Sequence, residues 1–277
     1  MKIWKYYNHA MIPTVAPHEK IDVEPLNNKQ FWRENKKALF ARWTSEFDCG
    51  YETNWWYVIK DTPFDVTTLK SKRRYEINKG KKHFEVRLID VSEYEEELFD
   101  VTVAAYSSWP EKYRPSIDKK SFFETLTRWS EHIVYGAFSV GNKKLCGYAY
   151  LKQFDTYYAF ISLRVVPKSE KLGINAAIVA KILEDYTKDG QFSKYICDGE
   201  GSIQHETAFQ DYLEKYFGFR KAYCKLHIAY NPRIKWIVKM LFPFRKMLHR
   251  FDEVGFVHQI NSVLYMEELY RSEAVSE

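Results

Sequence analysis

Apolar and polar positions alternate along this chain with two distinct periods. Between Tyr157 and Tyr186 the run YYAFISLRVVP is mostly apolar, KSEKLG is polar, and INAAIVAKILEDY repeats apolar residues at helical spacing. The first run predicts a buried strand. The last predicts an amphipathic helix with Ile174, Ile178, Ile182, Leu183 and Tyr186 on its core stripe. Upstream, Phe84–Ile89 alternates as a half-buried strand does. Leu145–Lys152 alternates too, with Leu145, Gly147, Ala149 and Leu151 on one face and Cys146, Tyr148 and Tyr150 on the other. The Gly141-Asn142 pair joins it to Ile133–Val140 as a hairpin.

Helices are predicted over Thr68–Lys82, over Ser92–Ala105 with Ser92 as N-cap, and over Ile117–Trp129. Gly80 is expected to end the first of them. A short strand Tyr195–Asp198, a loop GEGSIQ, a helix from about His205 to Tyr216 stopped by Gly218, and a strand Phe219–Tyr230 follow. Pro13, Pro17 and Pro25 break the opening stretch into extended pieces. Lys29–Trp43 reads as a helix, or a helix then a strand, and Tyr51–Lys60 as a strand holding Trp55 and Trp56. Asp252–Tyr270 reads as a closing helix.

Strands alternate with helices only in the second half, which implies an α+β chain with a mixed, mostly antiparallel sheet flanked by helices. Three regions are expected: an extension over 1–60, a main domain over 61–230, and a basic amphipathic tail over 231–277.

Composition changes this picture little. A length of 277 residues suits one large domain or two modest ones. A formal charge of +5 is too mild to imply nucleic acid by itself. The 21 Tyr, 19 Phe and 8 Trp fit carbohydrate, lipid-interface or large-ligand contacts, and equally a β-rich core. Cys49, Cys146, Cys197 and Cys224 lack CxxC spacing, so neither a metal site nor a disulfide framework is indicated. No apolar run follows Met1–Lys5 and no segment reaches a membrane span; the expectation is a reduced cytoplasmic protein, soluble or peripheral to the inner membrane.

Local chemistry is more informative. The loop ending at Gly173 opens a helix at Ile174 whose first turn holds the small residues Asn175, Ala176 and Ala177, an arrangement suited to a phosphate and also to a plain strand–helix crossover. The basic helix over Thr68–Lys82 offers Arg73 and Arg74 as bidentate contacts to a substrate phosphate or carboxylate, or else it is a solvated face. The loop DGEGSIQH gathers three candidate bases. Glu200, between two glycines, comes first, His205 second, and Asp198 third. Read blandly, the same loop is a Gly-rich turn in which Ser202 or Gln204 caps the next helix. The tail Asn231–Arg250 holds six Lys or Arg, no acid and a set of large apolar residues. It fits an anionic membrane interface, a helix pair closing over the domain, or the contact of a homodimer.

This element order, with Gly173 and the junction YFGF before the last strand, resembles the GNAT superfamily of N-acyltransferases over roughly Phe84–Tyr230. The resemblance implies acyl-CoA as donor, its pyrophosphate held at the helix after the fourth strand by a signature Arg/Gln-x-x-Gly-x-Gly/Ala. Here that run is Glu170 to Asn175, with Gly173 as the kept glycine and Lys168 or Lys171 as the charge. Backbone N–H groups near Val165 and Val166 are the implied oxyanion donors. The family's Tyr acid, four residues before the junction glycine, falls here on Glu214, with Tyr212 and Tyr216 nearby. The basic helix followed by FEVRLI also resembles the Fem-type branch, which uses aminoacyl-tRNA, and GNAT-like proteins associated with polysaccharide biosynthesis. On that footing the opening sixty or so residues are a remnant half-domain.

The implied activity is N-acyl transfer to an amine, such as an amino sugar of a surface glycan, the acceptor being a small molecule or lipid-linked. The alternatives are aminoacyl-tRNA-dependent transfer, and a non-catalytic membrane-peripheral binding protein of the same fold.

Overall fold

The structure, a computed structural model, describes residues 3–109, 111, 114–186, 194–202, 207–251 and 255–274. The chain begins with β1 (Trp4–Tyr7), β2 (Ala10–Pro13), α1 (Lys29–Glu34), β3 (Phe40–Ser45) and β4 (Trp55–Lys60). Next come α2 (Ser71–His83), β5 (Phe84–Leu88), α3 (Glu95–Ser107), α4 (Lys119–Leu126), β6 (His132–Ser139), β7 (Leu145–Gln153) and β8 (Tyr157–Val165). Then follow α5 (Pro167–Glu170), α6 (Ile174–Tyr186), β9 (Tyr195–Ser202), α7 (Ala208–Phe217) and β10 (Arg220–Tyr230). The chain closes with α8 (Pro232–Leu241), α9 (Arg245–Leu248) and α10 (Gly255–Ala274). The expected α+β class is observed: antiparallel pairing dominates, β2–β3 and β8–β9 are parallel, and helices flank the strands.

Two compact units emerge, neither continuous in sequence. One comprises Met1–Tyr57, Glu200–Glu206 and Lys221–Glu277, the other Val58–Gly199 and Thr207–Arg220. In the first, β1 and β2 form a hairpin whose turn places Asn8 and His9 at positive φ. β3 pairs antiparallel with β10 from Phe40↔Tyr230 to Ser45↔Lys225. The tail helices enter this unit's core, where Val238, Val263 and Leu264 pack with Ala10 and Phe40. Trp55 packs with Cys224, Leu226 and Leu269. In the second unit β5, β6, β7 and β8 form an antiparallel meander. Leu98 and Val101 of α3 pack with Leu126, Trp129, Val134 and Tyr148 as its core.

Four local expectations are corrected. Gly80 lies inside α2, because α2 crosses α6 backbone to backbone there. A Cβ on Gly80 would lie 2.3 Å from the Gly173 carbonyl oxygen and 2.8 Å from Ala177 Cβ. Ser92 does not cap α3; Asp90 accepts from the Ser92 N–H at 2.9 Å, capping a 3₁₀ turn, and α3 begins at Glu95. The stretch after Asp198 is not a loop but the continuation of β9 to Ser202, with Gly199 absorbing a φ of +100°. Thr207, not Ser202 or Gln204, caps α7 by accepting from the Gln210 N–H at 3.1 Å.

Candidate active site

The second unit opens where β8 and β9 part. Among the described residues their parallel ladder holds at Tyr157↔Tyr195, Tyr158↔Ile196 and Ala159↔Cys197, while β8 runs on to Val165. Within that free stretch β8 carries a bulge: Tyr150 is opposite Ser162 and Leu151 opposite Phe160, so Ile161 has no register partner. A bulge leaves its extra residue outside the ladder and re-aims the strand, as is common beside active sites. Side chains at the opening are then free to line a cleft.

That cleft has a volume of about 360 Å³. Ile161, Ser162 and Arg164 come from β8, Asp198 from β9, and Phe209 from α7. Ser108 and Trp109 follow α3, and Glu170 and Asn175 lie at the two sides of the turn into α6. Burial pushes the Asp198 carboxyl up to about 8, against a hydrogen bond from Gln210 that pulls it down. Gln210 is itself buried, so the acid's partner is fixed. Arg164 is held from the other side: Nη2 donates to the Tyr106 hydroxyl at 3.1 Å and Nη1 to the Leu163 carbonyl at 3.0 Å, with the guanidinium over the Tyr106 ring. Asn175 adds a buried Oδ1 without a hydrogen-bond partner among the described residues.

The sequence-derived site residues are dispersed by the fold. Asp198 and Asn175 meet in the cleft. Gly173 does not face it: the Glu76 carbonyl oxygen and the Gly80 backbone of α2 close over its α side, 2.6 and 3.1 Å from where a Cβ would stand. Ile174 and Ala176 are buried. The N–H of Gly173 is spent on the Glu170 carbonyl, and the exposed Lys171 accepts Lys79 Nζ at its own carbonyl, 2.7 Å away. Val165 lines the cleft from the end of β8, while the Val166 N–H donates to the Cys146 carbonyl at 2.8 Å, so that N–H is engaged rather than offered.

Arg73 and Tyr212 come together elsewhere. Arg73 is buried, bonds Glu76 at 2.5 Å and lies 3.6 Å over the Tyr216 ring, with the Tyr212 hydroxyl at 3.4 Å. Burial raises Tyr212 well above the usual phenol range, although Arg73 opposes the shift. Arg74 is exposed and donates to the Thr67 carbonyl at 3.0 Å. Glu200 lies in the first unit, ion-paired with Arg42. His205 lies outside the described residues. Arg164 lines the cleft without having been read as a site residue, and Glu170, the first position of the signature run, lines it too. The available signal for Arg164 was a lone charge in an otherwise apolar strand.

No protein-family model matches the chain, and no curated protein matches it. Solved structures do. L-PGS from Bacillus licheniformis superimposes with a TM-score of 0.52 at 14% identity, covering 86% of this chain and 83% of that one. The C-terminal domain of a putative lysylphosphatidylglycerol synthetase from Agrobacterium fabrum gives 0.49 at 12% identity, covering 82% and 79%. A GCN5-related N-acetyltransferase from Sphaerobacter thermophilus gives 0.41 at 10% identity, covering 73% and 64%. The first of these likenesses shows a shared fold over most of both chains. The cleft and its charges belong to this chain's own residues.

Proposed function

We propose that the protein transfers an acyl group to an amine in the β8–β9 cleft, with Asp198 as general base. The observation that carries this reading is Asp198, a half-buried carboxyl poised near the pH at which amines exchange protons, at the mouth of a parted strand pair. Glu170 at the rim attracts the acceptor as an ammonium. Asp198 in its ionised form takes one proton from that ammonium. The freed amine attacks the acyl carbon and a C–N bond forms; the ester or thioester bond then breaks, its electron pair leaves with the oxygen or sulfur, and the second amine proton passes to that leaving atom. The backbone at the Ile161 bulge faces the developing oxyanion. An amino sugar, free or lipid-linked, supplies an amine of the right class.

The donor follows from charge at the α6 end. Acyl-CoA would bring a pyrophosphate to a helix start where Glu170 and Asn175 face the cleft, and the cation lining that cleft is Arg164 of β8. An aminoacyl ester brings a second ammonium instead, which Glu170 suits. The closing of α2 over Gly173 therefore favours a second reading, with aminoacyl-tRNA as donor.

A thermal-shift panel separates the two. Acetyl-CoA, free CoA and a non-hydrolysable 3′-aminoacylamino-adenosine are each added in excess. A ligand at 100 times its dissociation constant adds roughly 2.7 kcal/mol of stability. A shift with the nucleoside alone supports the aminoacyl donor, a shift with the CoA compounds supports acyl-CoA, and silence from all three removes the transferase reading.

A further inference from the structure

The run Pro232–Phe251 is helical almost throughout: α8, a 3₁₀ turn over Phe242–Phe244, α9, and a second 3₁₀ turn over His249–Phe251. It has two apolar faces, and the fold uses one. Val238 is buried, with Ile234, Leu241 and Leu248 packed beside it against Phe40 and Val263. On the opposite face Trp236 is 69% exposed, Met240 64%, Phe244 53%, Met247 54% and Phe251 57%, with Ile237 alongside at 47%. The five recur at spacings of four, four, three and four residues, so both helices and both 3₁₀ turns of the run carry exposed apolar side chains. Six large apolar side chains exposed along one 20-residue run, the five and Ile237 beside them, exceed the scattered exposure that surfaces ordinarily carry.

Charge names the occupant. Arg233, Lys235, Lys239, Lys246 and Arg250 are all exposed around the stripe, and no acid occurs anywhere from Asn231 to Arg250. Arg245 is different: it turns inward to Glu268 at 3.0 Å. Lys239 holds its ammonium 5.5 Å from the Trp236 ring centroid. A second copy of the chain docked here two-fold would set these cations against themselves with no acid in the run to answer them. RNA would answer the charge and could stack on Trp236, Phe244 and Phe251, but it would leave Ile237, Met240 and Met247 uncovered, since these offer no plane for a base. Among the described residues no helix is long and apolar enough to cross a membrane. A bilayer surface rich in anionic lipid answers both features: apolar side chains enter the headgroup–acyl boundary while lysines and arginines stay among the phosphates.

We infer that Pro232–Phe251 is an interfacial membrane anchor that docks the first unit on anionic lipid through the Trp236–Phe251 stripe. The inference stands on this surface alone and does not rest on the transfer reaction.

Flotation of the full chain with vesicles tests it. With phosphatidylglycerol–phosphatidylcholine vesicles the protein is expected to float, and with phosphatidylcholine alone to remain largely behind. Combined Trp236→Ser, Met240→Ser and Phe244→Ser should weaken partitioning at least tenfold. Combined Lys235→Gln, Lys239→Gln and Lys246→Gln should weaken it by roughly fivefold per removed charge, the equivalent of about 1 kcal/mol each. All six positions are exposed, so unchanged melting temperatures verify folding. The inference is overturned by failure to float with anionic vesicles, by equal flotation with both vesicle types, or by flotation that the serine variant leaves intact. It is also overturned if the wild type ignores vesicles but binds tRNA, or forms a dimer that the serine variant splits.

Discussion

At the scale of single residues, Asp198 and Arg73 show how burial assigns roles that residue type leaves open. Burial holds the Asp198 carboxyl protonated up to about pH 8, well above an ordinary aspartate. The native state therefore binds this proton more tightly than the unfolded chain does. The stabilisation it lends is fully present below the ordinary aspartate range and is lost as pH rises through about 8. Urea titrations of the wild type should show this decline, and Asp198→Asn should flatten it. Arg73, by contrast, is enclosed by Glu76 and the Tyr212 and Tyr216 rings. Arg73→Ala is expected to lower stability by about 2 kcal/mol, with Arg73→Lys failing to restore it because an ammonium lacks the planar stack. A substrate-contacting arginine would leave the urea midpoint unmoved. The pair Arg73 and Arg74 reads alike in sequence; only packing shows that one anchors α7 and the other lies on the surface.

At the scale of elements, the α2–α6 crossing is the contact that most changes the reading of the site. Gly80 and Gly173 meet at backbone distance, and Gly173 holds a φ of +83°. Gly80→Ala gains helix propensity worth about 1 kcal/mol but forces atoms together at the Gly173 carbonyl. The net expectation is a loss of about 1–3 kcal/mol, measured by denaturant unfolding. A gain in stability would show that the helices are not so closely apposed. Elements with strong periodicity were legible: α6, the β6–β7 hairpin and the end of α7 at Gly218 all stand where the pattern put them. A helix-interior glycine and a helix-ending glycine look the same in sequence, because the difference lies in a partner helix some ninety residues away. The bulge at Ile161 was equally hidden, since it depends on register against β7.

At the scale of the whole molecule, each unit is assembled from distant segments, so composition shifts along the chain could not reveal them. β9 alone carries Asp198 in one unit and Glu200 in the other, two residues apart. Proximity in sequence made the two carboxylates look like one site. The cleft itself was half legible: Asp198, Asn175 and Val165 were candidates from the start and Glu170 opened the signature run, whereas Arg164 emerges only once β8 and β9 part.

The most direct test of acyl transfer in that cleft is product formation followed by mass spectrometry. Wild-type protein and Asp198→Asn are incubated with an aminoacyl-tRNA or acetyl-CoA and a panel of amines, amino sugars included, from pH 6 to 9. The expected result is an amide product whose rate of formation rises with pH through about 8 in the wild type and falls by about 10²–10⁴-fold in the variant. Intact donor in every wild-type reaction, or equal turnover by the variant, would contradict the account.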